Sequence, residues 1–284
     1  MRKSSDFIRQ NSVSCKFGSD SWAVLSSIEQ RIKSKIESVG TPLKDWDINI
    51  YRGILTGYNE AFVIDGKKRD ELIKEDPKSA EIIQPILRGR DIKRYGYDFA
   101  DIYLITTFPS LKINIEQYPA IKQHLLHIGY DRLKQTGEPG ARKKTTNKWF
   151  ETQDSINYWE DFSKQKIVWL ELTDKPKFSI DLNKMYCLAG TFLLTSNEGL
   201  YTILAALNSK LIEWLFDGMC NSSGTGTNQW KKFVVERIPI PKSNARTEEQ
   251  IKKLLQEKNY NELNKMVYEL YGLDNDEIKF IESQ

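Results

Sequence analysis

The sequence predicts a mixed α/β (α+β) fold: a sheet with packed helices, followed by a small C-terminal helical segment. Three observations predict it. Apolar residues recur at three- and four-residue steps in stretches such as 22–39 and 198–216, the period of an amphipathic helix. Short β-branched and aromatic runs, at 166–171, 178–181 and 191–195, are set off by Gly, Pro and polar clusters, as strands are. From Ser243 onward the chain becomes charged and helical. A length of 284 residues allows one large domain or a domain with an appendage, and 7 Trp, 13 Tyr and 12 Phe argue for a packed core over disorder.

The elements follow in order. Residues 1–20 are polar and aperiodic, a tail or a connector from a longer chain. Trp22, Leu25, Ile28, Ile32, Ile36 and Val39 then mark a helix that Gly40 stops. Residues 47–51 alternate as a strand should, a glycine-bearing loop spans 52–60, and residues 61–64 read as a short β run. Residues 68–83 are charged and helical around Pro77. A strand is expected at 103–107, and a helix at 116–128 with Pro119 in its first turn. The segment 132–148 has no periodicity and is a long loop. After the strands at 166–171, 178–181 and 191–195 comes one long helix, 198–216, then a polar loop at 220–229. Residues 233–235 return to the sheet, and Ile238-Pro239-Ile240-Pro241 closes the domain. The expected division is therefore a tail at 1–20, a domain at 21–242 and a helical segment at 243–284.

Composition excludes several classes. With 42 basic and 39 acidic residues the net charge is +3, so any affinity for a polyanion must come from uneven placement of charge. Cys15, Cys187 and Cys220 are odd in number and far apart, and with two histidines they make no zinc site; they read as reduced thiols in a cytoplasmic protein. His124 and His127 lack a third ligand nearby and read as surface residues. No run approaches the ~18 apolar residues of a membrane span, and the N-terminus has no signal-peptide core.

Charge is concentrated in a few segments. An apolar run ending at Leu87 is followed by Arg88, Gly89, Arg90, Asp91, Lys93, Arg94 and Tyr95, four cations in seven residues with a glycine that permits close approach. A basic turn that caps a helix in solvent would look the same. Thr56, Gly57 and Asn59 suit either a recognition loop or an ordinary hairpin. In the long loop Arg132, Lys134, Arg142, Lys143, Lys144 and Lys148 stand against Glu138 alone, and the loop runs into Trp149 and Phe150. Cations for phosphates and planar rings beside sugar or base are what a groove-following contact with nucleic acid needs, and a solvated loop is the alternative. The second polar loop also ends in an aromatic, Trp230, followed by Lys231.

Several separated segments resemble one family. Residues 52–62 (Arg-Gly-Ile-Leu-Thr-Gly-Tyr-Asn-Glu-Ala-Phe) are similar to its first signature, and residues 86–95 (Ile-Leu-Arg-Gly-Arg-Asp-Ile-Lys-Arg-Tyr) to its second. Leu207-Asn208-Ser209-Lys210-Leu211, Ile238-Pro239-Ile240-Pro241 and the helical end at 263–279 resemble its closing elements. The family is the TaqI-like C-terminal specificity domain, the target recognition module of type IIG restriction-modification enzymes and related adenine-N6 DNA methyltransferases. The resemblance implies a target-recognition-domain-like fold that clamps double-stranded DNA beside an adenine methyltransferase domain, on the same full-length polypeptide. It carries over to Arg88, Gly89, Arg90, Lys93 and Arg94, and to Thr56, Gly57 and Asn59. The loops at 132–149 and 221–231 are where the family varies. Base readout is expected there, from one or two of Arg142, Lys143, Lys144, Asn147, Asn228 and Gln229, with Arg132, Lys134, Lys148, Trp149 and Lys231 in supporting contacts.

The sequence lacks the Asn/Asp-Pro-Pro-Tyr/Phe motif that an adenine-N6 methyltransferase uses to hold its flipped base, and a glycine-rich strand–loop–helix turn for S-adenosylmethionine. Asp274, Glu277 and Lys279 fit a nuclease pattern only by force, in a stretch expected to be helical. The expectation is a recognition part without a catalytic centre, with S-adenosylmethionine and magnesium confined to catalytic domains elsewhere. The alternative is a protein-interaction or assembly module whose basic stretches are solvated.

Overall fold

The computed structural model describes residues 25–219 and 228–284; the expected tail, Trp22 and most of the second polar loop lie outside the described residues. Helix α1, Ser27–Val39, opens with a capping box in which Ser26 accepts from the Glu29 amide while the Glu29 carboxylate accepts from the Ser26 amide, and it buries Ile32 and Ile36. Next come β1 (Thr41–Pro42), β2 (Ile48–Arg52), a helical turn α2 (Asn59–Phe62), β3 (Val63–Asp65), α3 (Gly66–Glu75), β4 (Ile83–Leu87) and β5 (Ile102–Ile105). Helix α4, Pro119–Ile128, has its proline in the first turn as expected, and the turn α5 (Tyr130–Leu133) leads into the basic loop. The second half holds β6 (Lys166–Leu170), β7 (Leu172–Thr173), β8 (Phe178–Asp181), β9 (Tyr186–Cys187) and β10 (Thr191–Ser196). It continues with α6 (Leu200–Leu207), α7 (Lys210–Met219), β11 (Asn228–Gln229), the turn α8 (Lys232–Val235), β12 (Pro239–Ile240), α9 (Ala245–Gln256), α10 (Tyr260–Leu270) and α11 (Asn275–Glu282).

The central sheet has the order β2-β10-β6-β8, with every neighbouring pair antiparallel, so β2 and β6 run the same way on either side of β10. A second sheet has the order β3-β5-β4-β9, with β4 and β9 parallel. The pairs β1-β12 and β7-β11 complete the ladders. Side chains alternate across the central sheet and feed two cores. Ile50, Ile167, Trp169, Phe192 and Leu194 face one core with α1, α6, α7 and the three C-terminal helices. Val168 and Leu193 face the other, with the second sheet and α4. Strands covered on both faces read as continuous apolar runs, which is why Ile167-Val168-Trp169 and Phe192-Leu193-Leu194 show no polar alternation.

Three expectations are corrected. The β run expected at 61–64 begins only at Val63: Thr56 Oγ1 accepts from the Tyr58 amide at 3.1 Å, which bends the chain into a helical turn that buries Phe62. The long helix at 198–216 is two helices. Asn208 turns its amide on Phe178, accepting from its N–H (3.1 Å) and donating to its carbonyl (2.8 Å), and Ser209 Oγ accepts from the Ile212 amide. Residues 233–235 are helical, because the Lys231 carbonyl accepts from both Val234 and Val235.

The C-terminal helices share the first core through Ile251, Leu263, Val267, Tyr268, Tyr271 and Ile281. Asp274 and Glu277 form the capping box of α11, and Glu277 is fully buried and receives Lys35 Nζ at 2.6 Å, a structural use of both carboxylates. Glu248 of α9 accepts from the Tyr201 and Thr202 amides at 3.0 and 2.8 Å, capping α6 from another helix. Glu248→Ala is expected to cost about 1–2 kcal/mol, the upper range for losing a cap, read as a shift in the denaturation midpoint. Among the described residues no helix is long and apolar enough to cross a membrane.

Candidate nucleic-acid interface

The C-terminal ends of β2, β4, β6 and β9 come together at one end of the two sheets. Ile54 donates to the Cys187 carbonyl at 2.8 Å, Ala189 to Ile54 at 2.8 Å and Leu188 to Leu87 at 3.1 Å. Past the end of β6, Glu171 donates to Gly190 at 2.9 Å and accepts from the Trp230 amide at 2.8 Å. These bonds place Arg52, the turn 88–91, Glu171 and the β7-β11 ribbon beside one another. A Cβ on Gly89 would lie 3.1 Å from the Leu170 side chain, so that glycine serves packing between the turn and β6.

The basic loop joins this end through Thr56. Gln153 donates to the Thr56 carbonyl at 3.1 Å, and so does Arg142 Nη1, also at 3.1 Å. Arg142 is 2% exposed; its Nε donates to Leu133 O (2.8 Å) and its Nη2 to Trp149 O (2.7 Å), with the Phe62 ring 5.1 Å from the guanidinium carbon. Burial, and then the nearby Arg132 charge, lowers its pKa to about 10, so it remains a cation at neutral pH. Arg142 is therefore a staple across three segments and no base reader.

Other expected contacts also have partners within the chain, some buried and some exposed. Asn147 Nδ2 donates to the Thr152 and Gln153 carbonyls at 3.1 and 2.9 Å. Thr56 is buried and donates to Asn59 Oδ1 at 2.7 Å. Gly57, at φ 81°, would place a Cβ 3.0 Å from Gln153 and 3.3 Å from Arg142, so its glycine identity follows from loop packing. Arg88 grips the largely buried Asp91 through Nε (3.0 Å) and Nη2 (2.9 Å). Burial alone would raise the Asp91 carboxyl, but the Arg88 side chain and amide outweigh it and hold it below its ordinary value. Lys134 lies between Asp131 (3.3 Å) and Glu138 (2.9 Å), and Arg132 donates to Gly140 O (2.9 Å) over the Tyr58 ring. Lys93 sits 3.9 Å from Asp98 and Arg94 donates to the Asn208 carbonyl. Trp149 is half-buried against Tyr130 and Phe150.

At this end of the sheets the exposed side chains without such partners form a shorter set. Arg90, Lys143 and Lys144 are exposed and have no ion pair among the described residues. Lys148 is exposed, with its ammonium 5.6 Å from the Phe150 ring. Lys231 and Gln229 are partly exposed beside β7, with Gln229 opposite Leu172 in the ladder. The Asn228 side chain lies outside the description. One cation was not among the expected site residues: Arg52, 58% exposed and 3.9 Å from Glu171, at the very end of β2. Its place as the last residue of an alternating strand before Gly53 was the available signal. His124 Nε2 lies 3.1 Å from the Ala61 carbonyl, and among the described residues no group of three or more His, Cys, Asp and Glu could hold a metal ion.

No curated protein sequence matches the chain. Among solved structures, the type IIG restriction endonuclease BpuSI superposes with a TM-score of 0.54 at 13% identity, over 87% of this chain and 33% of that one. The type IIL restriction-modification enzyme MmeI, solved in complex with DNA, gives 0.53 at 12% identity, over 86% of this chain and 36% of that one. At these identities the likeness is one of fold, and the chain spans about a third of each enzyme. The model of the TaqI-like C-terminal specificity domain matches residues 84–240, more than half of the sequence, and the chain belongs to that family.

Proposed function

We propose that the chain is a DNA target recognition module of a type IIG restriction-modification enzyme or adenine-N6 DNA methyltransferase, acting in the cytoplasm. The observation that carries this reading is the gathering of Arg52, Arg90 and the β7-β11 ribbon with Gln229 and Lys231 at the shared end of β2, β4, β6 and β9. The loop bearing Lys143, Lys144 and Lys148 is fastened to the same end through Thr56. The sequence of this near-neutral protein thus places several exposed cations on segments that adjoin in the fold. Phosphate contacts from these cations would set register on the duplex. Gln229, Lys143 and Lys144 are the polar side chains free to reach base edges in the major groove. Neither a cofactor nor a catalytic residue is assigned to this chain. Its partner is an adenine methyltransferase domain on the same full-length polypeptide, which supplies the other wall of the clamp.

Electrostatic binding does not require the recognised sequence, so a mixed-sequence 30-bp duplex suffices as probe. If Arg90, Lys143, Lys144, Lys148 and Lys231 each neutralise one phosphate, log K against log salt should fall with a slope of about −4.5, at about −0.9 per contact. Lys143→Gln with Lys144→Gln should reduce that slope by about 2 without changing the melting curve. Binding that is flat in salt, or unchanged in the double variant, rejects the reading.

A further inference from the structure

A second cationic concavity, about 390 Å³, lies beside the β8 edge of the central sheet, between the turn 93–98 and the turn joining α9 to α10. Its two walls meet where Tyr95 stacks on Tyr260, with ring centroids 4.7 Å apart and planes 11° from parallel. Around this stack stand Lys93, Arg94, Lys252 and Lys258, against one carboxylate, Asp98.

Their existing partners leave these cations largely available. Lys93 is 3.9 Å from Asp98, and Lys252 is 3.7 Å from Glu249 on its own helix. Lys258 has no ion pair among the described residues, and Arg94 directs one Nη to the Asn208 carbonyl. Two further observations set the place apart. Tyr95 and Lys258, one on each wall, are non-glycine residues at φ 70° and 54°, a left-handed backbone that surrounding structure must impose. The Tyr95 hydroxyl is buried without a hydrogen-bond partner, with the Arg94 guanidinium over its ring at 5.3 Å.

The geometry points to a phosphate site: the cavity takes a phosphate ester that carries a base, either a free nucleotide or the backbone of DNA extending past the strand-end face. Four cations converging on one concavity match a multiply charged anion better than a lone carboxylate, and Arg94 adds a planar donor fork suited to phosphate oxygens. The cavity volume is in the range of small-molecule sites. Tyr260, 37% exposed, offers aromatic surface for the base. Arg94 and Lys93 belong to the same basic stretch as Arg88 and Arg90, yet they serve a different wall of the molecule. The site does not depend on the strand-end face binding DNA, and its test uses different residues.

The test titrates the whole chain with adenosine 5′-monophosphate and with adenosine by calorimetry, for the wild type and for K252Q/K258Q, both checked by thermal melt. The expected result is binding of the monophosphate, little or none of adenosine, and at least tenfold weaker binding of the monophosphate by the double variant. A second arm measures a 40-bp mixed-sequence duplex. If the monophosphate gives no heat but K252Q/K258Q loses at least threefold in duplex affinity, the site stands and its phosphate belongs to DNA. Equal binding of adenosine and its monophosphate, or no difference between wild type and variant in either arm, overturns it. Failure of the Lys143/Lys144 variant alone would count against the strand-end reading and leave this site standing.

Discussion

Replacing Asp181 with alanine is expected to destabilise the protein by about 3–5 kcal/mol, the range for leaving one member of a buried ion pair uncompensated. Lys166 and Asp181 are both fully buried and face each other across β6 and β8. The ammonium also donates to the Phe162 carbonyl at 2.6 Å. The carboxylate gathers three more donors: the amides of Asn183 (2.9 Å) and Met185 (2.8 Å), and the Tyr97 hydroxyl (3.0 Å). Removing it strands a fully buried cation and takes the acceptor from three donors. The double replacement Lys166→Met with Asp181→Leu should cost less than Asp181→Ala alone, because no charge is then left behind. Chemical denaturation of the three proteins decides it, and a loss below about 1 kcal/mol for Asp181→Ala would contradict the buried pair. Lys166 begins β6 and Leu170 ends it beside the turn at Gly89, so the pair lies at the other end of the strand from the candidate interface. Binding at the strand-end face per folded molecule should therefore be unchanged, and there the variant should fail through stability alone.

The second large effect falls on Arg142. Arg142→Met is expected to cost about 3 kcal/mol, since hydrogen bonds from a charged donor contribute about 1.5–3 kcal/mol each and part of the loss is recovered by water reaching the loop. Three carbonyls, those of Leu133, Thr56 and Trp149, lose their donor at once. Arg142→Lys should fare almost as badly, because a single ammonium cannot span three acceptors that a planar fork reaches. Hydrogen exchange should localise the damage to residues 133–153, and DNA affinity should fall because Lys143, Lys144 and Lys148 lose their anchorage. This separates a staple from a phosphate contact: Lys143→Gln changes the salt slope and leaves exchange alone, while Arg142→Lys changes exchange first. A folded Arg142→Lys protein with wild-type exchange and DNA binding would remove the staple account.

Much of the architecture was legible because its signals are local. Ser26 with Glu29, Pro119 at a helix start, and the apolar runs at 167–169 and 192–194 each announce their element within a few residues. The misreadings share a cause. The helix at 198–216 has an unbroken apolar period, yet Asn208 finds Phe178 thirty positions away and divides it. The candidate site followed the same rule. Its segments were identifiable as clusters of cations and glycines, but which cations face solvent was not. Arg142 and Lys143 are neighbours of like charge, and the bonds of Arg142 to three carbonyls, one of them 86 residues distant, separate their roles.

By itself the sequence determined a mixed α/β chain with a helical end, the family it belongs to, and the segments that hold its positive charge. Only the tertiary structure decided that the C-terminal helices share a core with the central sheet, that Arg142, Asn147 and Thr56 bond inward, and that the segments bearing Arg52, Arg90 and Lys231 adjoin at one end of the sheets. The reason is that periodicity and composition report a residue's chemistry and its near neighbours. Whether a charged side chain meets solvent or a buried carbonyl is settled by pairings between distant parts of the chain.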